Sequence, residues 1–168
     1  MKSIRTGVFE TNSSSTHSIC ITKNRRCNMC LPQKLYFSCG DFGWEYKTLK
    51  TPEEKASYLY SSILCIYDKE TAEGKKSLLW DMLGAEGVEC EFETPIYYGA
   101  SSWCENASVD HAGTDDHSAF VERVLSNVGR LLRYLFSEES FVITGNDNGY
   151  FDMDIAVNYP HEEYYKGN

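Results

Sequence analysis

Across residues 118–136 the apolar side chains Val121, Val124, Leu125, Val128, Leu131, Leu132 and Leu135 recur at helical spacing. A stripe of that length is satisfied by an α-helix laid against a core. Asp115 and Asp116 stand just before it, where carboxylates complement the positive end of the helix dipole. Elsewhere the period changes to two. In Val88-Glu89-Cys90-Glu91-Phe92-Glu93 the apolar residues take one face and the carboxylates the other. Residues 141–144 and 150–157 flank Gly145-Asn146-Asp147-Asn148-Gly149, which has the composition of a hairpin turn. In the second of these strands Phe151, Met153, Ile155 and Val157 share one side, with Asp152 and Asp154 on the other. The two periods together predict an α+β fold, a mostly antiparallel sheet packed against about three helices.

Local signals place the remaining elements. Thr51-Pro52-Glu53-Glu54 opens a helix, with Thr51 as N-cap, Pro52 at the first helical position and Glu54 completing a capping box. That helix runs to about residue 67, with Ala56, Leu59, Ile63 and Ile66 on one face. Another covers residues 71–83 and ends near Gly84 or Gly87. Residues 4–10 and 18–23 read as a strand pair around a polar loop. Residues 35–37 form a short strand running into the glycine-punctuated turn Gly40-Asp41-Phe42-Gly43-Trp44. No repeat or low-complexity linker divides the 168 residues, so the chain reads as a single domain spanning residues 1–168.

No apolar run approaches the roughly 20 residues that span a bilayer. The start, Met1-Lys2-Ser3-Ile4-Arg5, lacks the apolar stretch of a signal peptide. Seven cysteines at irregular spacing do not make a secreted disulfide framework. These features predict a soluble protein of the cytoplasm. The net charge of -9 is uneven: residues 1–85 carry +3 and residues 86–168 carry -12. Such an acidic half disfavours direct nucleic-acid binding, because phosphate contacts need Lys and Arg. It favours a basic partner, a metal, or solubility alone.

Four segments are candidate sites. The loop Thr11, Asn12, Ser13, Ser14, Ser15, Thr16, His17, Ser18 offers a phosphate or carboxylate many donors, with His17 as acid, base or ligand. The same side chains can equally satisfy the loop's own backbone. Cys27-Asn28-Met29-Cys30 has zinc-knuckle spacing but no second pair, unless the fold brings Cys20 and Cys39 close, so no structural zinc is expected. Asp110, His111, Asp115, Asp116 and His117 could ligate zinc, iron or manganese, although Asp before a helix is also ordinary capping. Glu89, Glu91 and Glu93 form a regular row, spaced roughly 6.7 Å apart along a strand. Asp152 and Asp154 extend that row if the two strands are neighbours. Such a face can imitate a nucleic-acid backbone, or it can be the solvated side of a sheet.

FETNSSSTHS at residues 9–18, GDFGWE at 40–45, EKASYLY at 54–60 and TGNDN at 144–148 together resemble a family of proteins from phages and mobile elements of Gram-positive bacteria. The resemblance brings no enzymatic activity and no catalytic residues with it. The mobile-element setting implies a role against host defence, and some small acidic proteins of that setting are anti-CRISPR inhibitors. The expectation is therefore a non-enzymatic inhibitor in the cytoplasm of a bacterial host cell. Its partner is a basic host-defence protein, foremost a CRISPR effector nuclease, whose guide and target channel is positively charged. Glu89, Glu91, Glu93, Asp152 and Asp154 would make the contact, with no cofactor, no metal, no direct nucleic-acid contact and no membrane. The alternative is a metal-dependent or phosphate-handling enzyme using Asn12, Ser13, Ser14, Ser15, Thr16 and His17 together with His111 and His117. A structural phage component is a third reading.

Overall fold

A computed structural model describes residues 15–24, 29–99, 104–110, 112, 115–146 and 163–167. The elements in chain order are β1 (Ser15–Ile21), β2 (Lys34–Phe37), β3 (Asp41–Phe42), β4 (Lys47–Leu49), α1 (Pro52–Ile66), α2 (Lys69–Gly84), β5 (Glu89–Phe92), β6 (Ser108–Val109), α3 (Asp115–Leu125), α4 (Val128–Phe136), β7 (Phe141–Asn146) and β8 (Glu163–Gly167). The fold is α+β. Its largest sheet has the order β4-β7-β1-β8 and is antiparallel throughout. Two short ladders, β2 with β5 and β3 with β6, are parallel.

The capping box at the start of α1 forms as the sequence predicts. The Glu54 N–H donates to Thr51 Oγ1 at 3.2 Å, and Glu54 Oε2 accepts from the Thr51 N–H at 3.0 Å. The helix it launches is enclosed on all sides, for every residue from Lys55 to Leu64 is buried. Its polar members are therefore paired. Lys55 Nζ donates to the carbonyls of Ser137 and Ser140 at 2.8 and 3.0 Å, just past the end of α4. Ser61 Oγ accepts from the Gly40 N–H at 3.0 Å. The Tyr134 hydroxyl donates to the Lys55 carbonyl at 2.9 Å. A buried ammonium suits this position, because two carbonyls of the turn that follows α4 meet it near the negative end of that helix.

Three expectations are corrected. The single helix expected over residues 118–136 is two helices, α3 and α4, broken at Ser126 and Asn127. Asn127 is extended and accepts the Arg130 N–H on its side chain at 3.2 Å, so a new N-cap interrupts the apolar stripe. Gly145 and Asn146, expected in a turn, continue β7 and pair with Thr16 and Ser15. Ser15 and Thr16 in turn belong to β1 rather than to a loop. Helix α2 starts at Lys69 because Asp68 caps it, accepting the Thr71 N–H at 2.9 Å. The expected strands at 4–10 and 150–157 lie outside the described residues.

One apolar cluster joins α1 to α4, β2, β5 and the core face of β1. Cys20, Phe141 and Ile143 make a smaller buried group.

Candidate functional site

The acidic strand β5 lies in parallel register with β2, so Lys34 sits beside Glu89 and Tyr36 beside Glu91. Glu89 and Glu91 are exposed, while Cys90 is buried and Phe92 half-buried. Lys34 pairs with Glu91, both about half exposed, where such a pair contributes little. Glu93 stands apart from the row. Its carboxylate accepts the Cys39 N–H at 2.9 Å and the Asn106 amide at 3.2 Å, and its carbonyl accepts the Tyr60 hydroxyl at 3.0 Å. The carboxylate of Glu93 thus ties two loops together, and Glu89 and Glu91 are the exposed pair. Asp152 and Asp154 lie outside the described residues.

Beside β5 runs a groove of about 400 Å³, lined by Glu73, Lys76, Ser77 and Trp80 of α2 and by Cys90 and Phe92 of β5. Trp80 is 58% exposed. Lys76 pairs with Glu73 at 3.1 Å and lies 5.7 Å above the Phe92 ring. The groove lies outside the four segments that the sequence marks as candidate sites. Its signal was the helical spacing of Glu73, Lys76, Ser77 and Trp80, a polar stripe that ends in an aromatic ring.

The histidines form a second, enclosed constellation. His17 on β1 and His117 on α3 are 0% and 1% exposed, with ring centroids 5.5 Å apart and edge to face. Tyr58 packs against both rings, at 5.7 and 5.6 Å. The hydrogen-bond network assigns the tautomers. His17 Nε2 meets the Asp110 carbonyl at 2.8 Å, and a carbonyl only accepts, so Nε2 carries a proton. Ser62 donates its hydroxyl proton to the Tyr58 carbonyl at 2.7 Å, so at 2.9 Å it must accept from His117 Nε2. Burial, reinforced by His17 alongside, pushes the His117 pKa down to about 3. His117 is therefore neutral at physiological pH.

Gly43 closes over this pair with φ +104°, and a Cβ there would lie 2.8 Å from Asp110 Cβ and 3.1 Å from His17 Nε2. Only glycine accommodates both the backbone and the space. Gly43 also lines a small recess of about 120 Å³, together with Asp41, Phe42, Trp44, Glu45, Lys47 and Thr144. Thr144 is the β7 partner of His17. His17 of β1 thus has Gly43, Tyr58 of α1 and Thr144 of β7 as neighbours, drawn from widely separated parts of the chain.

Other sequence candidates are placed as follows. Asn12, Ser13, Ser14, Cys27 and His111 lie outside the described residues, and Ser15 and Thr16 are strand residues. Cys30 is exposed. Among the described residues no group of three or more His, Cys, Asp or Glu is arranged to hold a metal ion. No helix among them is long and apolar enough to cross a membrane. No protein-family model, curated protein or solved structure matches the chain.

Proposed function

We propose that the protein is a non-enzymatic inhibitor of host defence that binds a basic partner through the face around β5. The observation that carries this reading is the exposed carboxylate pair Glu89 and Glu91 on one face of β5, with an exposed tryptophan and its groove on the other. A partly exposed aromatic ringed by charge is the composition of a binding surface. The surrounding charge supports a basic partner. Residues 69–93 hold seven Asp and Glu against three Lys, and Lys75 is engaged by Glu122 at 2.6 Å. The last turn of α2 has no basic residue, so the negative end of its dipole adds to the same field. A CRISPR effector nuclease in the host cytoplasm, with its positively charged guide and target channel, is the partner proposed.

The test is affinity capture from the bacterial host, followed by kinetics on Glu89→Gln/Glu91→Gln at two salt concentrations. Association should slow in the variant, and the difference should shrink as salt rises. Stability should stay within about 0.5 kcal/mol, since both side chains are at the surface. Unchanged binding by the folded variant rejects the acidic face.

The second reading, a phosphate-handling or metal-dependent enzyme, is favoured by the meeting of His17 and His117 at 5.5 Å. Their enclosure favours a packing role, because a reacting group has to reach its substrate. Turnover lost in a folded His17→Asn variant, with partner binding intact, would favour the enzyme.

A further inference from the structure

We propose that β5 receives an extended segment of the basic partner as an added strand. The segment alternates basic and apolar residues and places an apolar side chain against Trp80. This rests on the binding reading above and specifies its geometry.

The backbone supplies the first argument. The Glu89 N–H donates to the Gln33 carbonyl at 3.0 Å and the Glu93 N–H to the Phe37 carbonyl at 2.9 Å. In a parallel ladder alternate residues turn both backbone groups toward the same neighbour. Glu89, Glu91 and Glu93 therefore face β2, and Cys90 and Phe92 turn their N–H and C=O groups to the opposite edge. Among the described residues no strand pairs with that edge. A strand edge with its backbone groups turned outward is a template for another chain.

The groove supplies the second. Its lining comes from α2 and from Cys90 and Phe92 of β5, so it lies over the Cys90 and Phe92 face of the strand whose outer edge has no strand partner among the described residues. Phe92 and Trp80 give it apolar walls. A strand laid along this edge would send alternate side chains to opposite faces. One set meets Trp80 and Phe92, and the other meets Glu89 and Glu91. The matching segment therefore places Leu, Ile or an aromatic residue on the first set and Lys or Arg on the second. Charge complementarity selects it, since an acidic segment would meet like charges on the Glu89 face and at the carboxyl end of α2.

A labelled synthetic peptide of alternating lysine and leucine tests this, with an alternating glutamate and leucine peptide as control. Two further lysine peptides carry N-methyl groups on every second amide, in one register or in the other. The expected result is binding of the lysine peptide over the glutamate peptide, weakened at least tenfold by Trp80→Ala. N-methylation in one register should abolish binding, and in the other it should leave binding unchanged. Binding that falls with Glu89→Gln/Glu91→Gln but ignores Trp80→Ala and both methylated registers overturns strand addition and leaves the acidic face standing. Equal binding of lysine and glutamate peptides, or none of either, overturns strand addition together with the basic-partner reading.

Discussion

His117 is neutral because water is kept from its ring, and that has a measurable pH signature. Its pKa in the folded chain is about 3, against an ordinary value of 6.5. Between those values the unfolded chain binds a proton that the folded chain does not. Stability from this group is therefore complete above about pH 6.5 and is lost as pH falls toward 3, at up to about 1.4 kcal/mol per pH unit. Denaturant melts at pH 7, 5 and 4 should show this slope, and His117→Gln should flatten it. A variant as acid-sensitive as the parent would place the titration elsewhere. Gly43 makes a second test at this scale. Gly43→Ala forces a side chain into positive φ and against Asp110, and thermal melts should show a loss of about 1–3 kcal/mol. His17 and His117 were each visible in the sequence, but not their meeting. They are a hundred positions apart, and no local pattern links a strand residue to a helix residue at that distance.

At the scale of elements, short-range chemistry was the legible part. The Thr51, Pro52 and Glu54 signature started α1 where it does start. The alternation of Val88 through Glu93 marked β5, although its pairing with β2 is parallel, because alternation reports a half-buried face and not the direction of a neighbour. The broken helix shows one signal hiding another. Val128 and Leu131 keep the apolar period of α3 going, while Asn127 just before them caps a new helix. Asn127→Ala should therefore cost about 1 kcal/mol in a denaturant melt, the value of a lost N-cap. An interior residue of one continuous helix would gain from the change, because alanine is the better helix former. The acidic row was half legible. The period put Glu89, Glu91 and Glu93 on one side, but it could not show that Glu93 would be drawn in by the backbone of Cys39 and the amide of Asn106.

For the whole molecule, α1 is the common neighbour, buried along its middle and linked by Lys55 and Tyr134 to α4 and by Tyr60 to the end of β5. Elements that share one enclosed helix cannot come apart singly. Far-UV circular dichroism and tryptophan fluorescence should therefore report one coincident unfolding transition. Two separated transitions would divide the core cluster. The overall class was legible because composition and period set it. The strand order was not, since it depends on pairings between distant parts of the chain. In the largest sheet β1 sits between β7 and β8, strands that lie more than a hundred residues downstream. On the ribosome β1 therefore emerges well before β7 and β8, and it waits for both while the helices are made. A nascent chain halted before residue 141 holds Ile19 and Ile21 on a strand that still lacks β7 and β8, and a chain in that state is open to aggregation.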